Sequence, residues 1–117
     1  MKYMGSKARI AKHILPIMLE EAEKYGITTW IEPFIGGGAL FFALADRNRL
    51  GYKKARLSDI NPELVNTYQA VRDHVGPVMK VLKCHQNDEA YYYHIRALDV
   101  TQLDPIERAA RLIYLNK

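Results

Sequence analysis

Three consecutive glycines, Gly36-Gly37-Gly38, constrain this chain more than any other feature. They follow Thr28 to Glu32, a short run with β-branched and aromatic residues that fits a buried strand, and a single proline, Pro33. Ala39 to Ala45 then reads as an apolar helix. A strand that passes through a glycine turn into a helix brings backbone N–H groups close to whatever lies at the turn, because no Cβ intervenes. Ala55 to Ile60 is a second candidate strand, reached through the basic connection Arg47 to Arg56. Strand, helix and strand make one βαβ unit, whose strands are expected to be parallel and joined by a right-handed crossover. The expected fold class is therefore α/β, with only part of a sheet, since two parallel strands leave both edges open.

Helices account for the rest. Residues 6–25 carry Ile10, Ile14, Ile17, Met18, Ala22 and Tyr25 at the spacing of one buried helical face. Pro16 predicts a kink or restart there, and Gly26 an end. Asn61-Pro62 is a side-chain cap followed by a proline whose missing N–H costs nothing, and Leu64, Val65, Tyr68 and Val71 form the expected buried face of the helix it opens. Gly76-Pro77 is expected to break that helix, with a short one to about Leu82 following. Asn87 is a candidate cap for a helix with Tyr91, Ile95 and Leu98 in register. Asp104-Pro105-Ile106-Glu107 reads as a variant capping box for a last helix lined by Ile106, Ala109, Ala110 and Ile113.

Composition narrows the class. With 49% hydrophobic and 26% charged residues, a 117-residue chain is ordinary globular protein, which argues against disorder. One cysteine, Cys84, excludes an internal disulfide framework. The longest uncharged run, Pro33 to Ala45, is too short and glycine-rich to span a membrane. The polar N-terminus lacks the apolar stretch of a signal peptide, so the expected location is cytoplasmic.

Two acids sharpen the glycine turn. Asp59 lies 21 residues after Gly38, at the tip of the second strand, about where an acid accepts hydrogen bonds from ribose hydroxyls in a Rossmann-like unit. The third glycine of the dinucleotide fingerprint is absent, because Phe41 occupies its place, and Glu32 before the turn would repel phosphates. Both departures favour a ligand with cationic character and no pyrophosphate. S-adenosylmethionine, with an adenosine, an ammonium and a sulfonium, fits both acids. The plainer alternative is a tight connection with Glu32 and Asp59 as surface polar groups.

Glu32-Pro33-Phe34-Ile35-Gly36-Gly37-Gly38 resembles the S-adenosylmethionine-binding motif of Dam-type (class alpha) DNA adenine-N6 methyltransferases. Three further segments are similar to that family in the same order: Lys2-Tyr3-Met4-Gly5-Ser6-Lys7, Ser58-Asp59-Ile60-Asn61-Pro62-Glu63-Leu64, and Arg111-Leu112-Ile113-Tyr114-Leu115-Asn116-Lys117. The resemblance implies a partial Rossmann-like methyltransferase fold and methyl transfer from S-adenosylmethionine to adenine in double-stranded DNA. It implies cofactor contacts from Tyr3, Lys7, Glu32, Phe34, Gly36, Gly38, Asp59 and Ile60, with Asp59 at the ribose and Ile60 over the adenine. Lys7 either pairs with the methionine carboxylate or holds Glu32; both stay open. It also implies a division into a cofactor-binding portion, about 1–73, and a helical portion, about 74–117, leading toward a target-recognition region.

The family holds its flipped-out base with a Pro-Pro-aromatic motif. Here the five prolines, at 16, 33, 62, 77 and 105, are all isolated. No catalytic residue is therefore assigned, and the chain is expected to be an N-terminal portion that does not methylate DNA by itself. Cys84-His85 with His94 lacks a regular metal-ligand pattern, and no metal is expected. Tyr91-Tyr92-Tyr93 reads first as helix packing and second as a base-stacking surface. Arg47, Arg49, Lys53, Lys54 and Arg56 gather five cations around one acid, Asp46, as a solvated loop or a contact to DNA phosphates. Two alternatives follow from these features: a fragment of an NAD-type nucleotide-binding oxidoreductase, or a non-enzymatic DNA-binding module.

Overall fold

A computed structural model of the chain describes residues 8–47 and 53–116. It divides the chain into two compact units that meet in sequence between Ile60 and Asn61. Among the described residues the architecture is mixed α/β, with two parallel strands and five α-helices.

The first unit contains α1 (Ala8–Lys24), β1 (Thr29–Glu32), α2 (Ala39–Arg47) and β2 (Lys54–Leu57). The strands pair in parallel, with Thr29 beside Lys54 and Glu32 beside Leu57. Their core is Ala11, Leu15, Trp30 and Leu44, with Leu19, Leu40, Phe41, Ala43 and Leu57 packed against it. Alternation along β1 buries Trp30 and Glu32 and leaves Ile31 exposed. The sheet is thus covered on one face by α1 and α2. α1 continues through Pro16 instead of restarting. It ends in paired bonds typical of a glycine-terminated helix, Gly26 N–H to the Glu23 carbonyl at 3.2 Å and Ile27 N–H to the Ala22 carbonyl at 2.8 Å.

The face of α1 that turns inward differs from the expected one. Ala11, Leu15 and Ala22 are buried, whereas Ile10, Ile17, Met18 and Tyr25 are exposed. The helix carries two apolar stripes about one residue apart, and hydrophobic spacing alone does not rank them. The stripe with alanine at both ends allows the close approach that lets Leu15 fill the space over Trp30. Strand β2 also differs, ending at Leu57 instead of continuing to Ile60.

The second unit contains α3 (Pro62–Cys84), α4 (Glu89–Ala97), a short 3-10 turn (Val100–Gln102) and α5 (Pro105–Leu115). Asn61 caps α3 through its side-chain oxygen, which accepts from Glu63 N–H at 3.0 Å. The expected break falls at His74, the non-helical residue inside α3 (φ −140°, ψ 40°), and the helix resumes through Pro77 to Cys84. A proline ring clashes with the carbonyl four residues earlier, here Asp73, so the distortion appears upstream of Pro77. Ala70 and Val78 pack with Ala109 and Ala110 of α5, flanked by Val81, Leu82, Ile106 and Ile113. Val71, expected inside, is exposed, and Thr67 is buried instead, its hydroxyl donating to the Glu63 carbonyl at 2.7 Å. Asp88, not Asn87, caps α4 by accepting from Tyr91 N–H at 2.8 Å. The expected capping box of α5 is present, with Asp104 accepting from Ile106 and Glu107 N–H and Glu107 accepting from Asp104 N–H. No described helix is long and apolar enough to cross a membrane.

Candidate functional site

The glycine turn and the second acid meet beyond the carboxyl ends of the two strands, where open α/β sheets bind ligands. After Leu57 the chain stays locked to the turn. Ser58 N–H donates to the Glu32 carbonyl and Ile35 N–H to the Ser58 carbonyl, both at 3.0 Å. The Ser58 hydroxyl reaches the Pro33 carbonyl at 3.3 Å. These bonds carry Asp59 over the glycines, and Gly36 N–H donates to Asp59 Oδ2 at 2.9 Å. Gly36 and Gly38 both take positive φ, 49° and 71°, which side chains with a Cβ rarely adopt. Gly38 N–H donates to the Ile35 carbonyl at 2.8 Å, and the Gly38 carbonyl accepts from Phe42 N–H at 2.9 Å, opening α2. The turn therefore spends the Gly36 and Gly38 donors within the protein. At those two glycines it offers a ligand a close backbone surface.

Glu32 is buried at 7% exposure, and its carboxylate accepts from the indole Nε1–H of Trp30 at 3.1 Å. Phe34 and Ile60 stand at the opposite extreme, 71% and 94% exposed at the rim. Gly36 and Asp59 are thus in contact through a hydrogen bond, with Glu32 four residues before Gly36 on the same strand-to-turn segment. Tyr3 and Lys7 lie outside the described residues, as do 48–52 of the basic segment. Lys53, Lys54 and Arg56 are exposed.

Two participants escaped the sequence reading. Ser58 ties the second strand to the turn, and Trp30 holds Glu32. The signal for Trp30 was present, because residues two apart on a strand share a face.

In the second unit, His85 Nδ1 and the Tyr91 hydroxyl are 2.9 Å apart, and His85 stacks on Tyr114 with ring centroids 4.6 Å apart. The Tyr114 hydroxyl donates to the Gln86 carbonyl at 2.8 Å. Burial pushes the Tyr114 hydroxyl pKa up, with Tyr91, Asp88 and Tyr92 adding to it. Tyr91 and Tyr92 are half-buried in this aromatic packing and Tyr93 is exposed. A cavity of about 400 Å³ opens beside it, lined by Asn87, Asp88, Glu89, Tyr92, Tyr114 and Leu115.

Comparison with known proteins converges on one family. A family model described as D12 class N6 adenine-specific DNA methyltransferase matches residues 3–117. The type II methyltransferase M1.LlaDCHI of Lactococcus lactis subsp. cremoris is 38% identical, over 97% of this chain and 38% of its own length. The type II methyltransferase M.MjaIII of Methanocaldococcus jannaschii is 30% identical, over 100% of this chain and 44% of its own. A DNA adenine methylase of Haemophilus influenzae is 29% identical, over 100% of this chain and 39% of its own. The chain thus spans about two-fifths of the length of these curated relatives.

Proposed function

The chain belongs to the D12 class N6 adenine-specific DNA methyltransferase family, and from that premise we propose that it carries the cofactor side of a methyl transfer from S-adenosylmethionine to the N6 amino group of adenine in double-stranded DNA. The parallel pair β1 and β2 is read as part of a Rossmann-like methyltransferase sheet. The observation that carries the reading is the inward use of the glycine donors. With Gly36 N–H on Asp59 and Gly38 N–H on Ile35, a pyrophosphate finds those two donors already engaged. A ligand that needs close approach, a ribose acceptor and a place for positive charge gains more.

The residues fit such a ligand. A carboxylate has about four acceptor positions, so Asp59 keeps capacity for ribose hydroxyls while one oxygen holds Gly36. Glu32 presents a buried negative charge beside the turn, suited to the ammonium of the methionine moiety. Phe34 and Ile60 supply exposed apolar surface for the adenine and its surroundings. S-adenosylmethionine, when bound, supplies an electrophilic methyl on a sulfonium. The chain's own part is to fix that methyl in position, an orientation effect, since the target amine must meet it in line. The target base must leave the duplex first. With no Pro-Pro-aromatic segment among these residues, the proposal assigns base capture elsewhere and expects no methylation by this chain by itself.

Titration calorimetry of the chain with S-adenosylmethionine and with NAD tests the cofactor reading. The expected result is binding of the first and none of the second. Preferential NAD binding would return the oxidoreductase alternative. Transfer of labelled methyl into duplex DNA by the chain by itself would overturn the assignment of base capture elsewhere.

A further inference from the structure

We infer that Trp30 is a positioning residue for the cofactor acid: its indole N–H fixes the Glu32 carboxylate in the orientation that receives a cationic group at the glycine turn. The inference rests on the cofactor reading above and adds a residue to it. Trp30 lies in the strand, two positions before Glu32, on the face packed with Ala11, Leu15 and Leu44. At 4% exposure its ring has no room to turn, so the direction of Nε1–H is set by the core. That N–H meets Glu32 Oε2 at 3.1 Å.

Among the described residues it is the hydrogen bond that the Glu32 carboxylate receives, and the same residues place no cation within ion-pair distance of it. A carboxylate has about four acceptor positions, and the indole fills one of them, which leaves capacity for a cationic ligand group. A flexible glutamate would have to be ordered on binding, whereas one already held by an indole locked in the core does not. The same bond makes the chain's single tryptophan a reporter of the site.

The test replaces Trp30 in the full chain with 3-benzothienylalanine, which keeps the bicyclic shape and lacks the N–H, and separately makes Trp30→Phe. S-adenosylmethionine binding is measured by calorimetry, and folding by thermal melting. The expected result is a loss of affinity of roughly tenfold for the isostere, the scale of one charge-assisted hydrogen bond, with the melting curve held. In a Glu32→Gln background the isostere should cause no further loss. Trp30 fluorescence should also shift between the unsubstituted chain and Glu32→Gln without any ligand. Unchanged affinity in the isostere, or an equal loss in the Glu32→Gln background, overturns the inference and leaves the cofactor reading standing. Failure of the unsubstituted chain to bind S-adenosylmethionine overturns both.

Discussion

The two units of the chain spend their residues differently. The helical unit closes on itself with side chains. Arg108 pairs with Glu63 across α3 and α5, and Arg111 donates to the Ile95 and Arg96 carbonyls at 2.8 and 2.6 Å. Asn66 reaches the Pro105 carbonyl at 2.9 Å, and side-chain acceptors cap α3, α4 and α5. The strand unit gathers its described side-chain bonds between distant residues at one end. Its bonds from Ser58, Ile35, Gly36 and Trp30 all converge where β1 and β2 finish. Elsewhere it leaves Ile31, Ile17 and Tyr25 exposed. One unit ties its helices to one another by side-chain bonds, and the other holds a turn in shape by bonds beyond its strands. The difference teaches that the shape of the candidate site rests on bonds among Trp30, Glu32, Ile35, Gly36, Ser58 and Asp59.

The harshest way to break this comparison is through the core of the strand unit. Leu15 is 1% exposed and faces Trp30 and Leu44 in the same cluster. Leu15→Ala should cost about 2–5 kcal/mol, as buried leucine truncations do. Hydrogen exchange should show protection lost across α1, β1, α2 and β2 and kept in α3 and α5. Equal loss in both halves would mean that they unfold as one cooperative body, and the contrast would fail.

A narrower substitution sharpens the role of the turn. Asp59→Ala removes the proposed ribose acceptor and the partner of Gly36 N–H together. S-adenosylmethionine affinity should fall roughly ten- to a hundredfold, the range expected for hydrogen bonds to a charged group. Asp59→Asn keeps an oxygen for Gly36 and should recover part of the loss. If Ala and Asn bind alike, the bond to Gly36 contributes nothing to the site. A fall in DNA binding equal to the loss for S-adenosylmethionine would favour the DNA-binding module.

How much of this was legible beforehand follows the kind of physics involved. Local rules read well: Asn61 and Asp104 cap as their side chains dictate, and Gly36-Gly37-Gly38 turns between a strand and a helix. The meeting of Gly36 and Asp59, 23 residues apart, was legible only as an expected position, because parallel pairing decides it. What failed was the choice between near-equivalent surfaces. Ile17 and Leu15 suit a helix equally, and the space over Trp30 chose Leu15. Val71 was misjudged in the same way, and Thr67 takes the buried place, since a threonine hydroxyl bonded to its own helix tolerates burial that polarity would forbid.

The helical unit offers a milder lever. Asp104 serves two N–H groups of α5 and is matched by Glu107. Asp104→Ala should destabilise the unit by about 1 kcal/mol, read by chemical denaturation. Affinity for S-adenosylmethionine should hold. A change in affinity would show that the site depends on the helical unit.

The smallest effect is a pH dependence confined to the turn before α5. The Asp99 carboxyl lies below its usual range because Thr101 N–H donates to it at 2.9 Å and the Thr101 hydroxyl at 2.8 Å. A carboxyl lowered in the folded state contributes stability that is fully present above its unfolded value and lost as pH falls through the folded one. Near neutrality Thr101 N–H should therefore be protected, and acid below the ordinary aspartate range should release it ahead of the α5 amides. Asp99→Asn keeps an acceptor and removes the titration, so the Thr101 amide shift should become flat with pH. A shift that persists in Asp99→Asn would assign the acid response to another carboxylate, with Asp73, held low by its bond from Arg72, as the next to substitute.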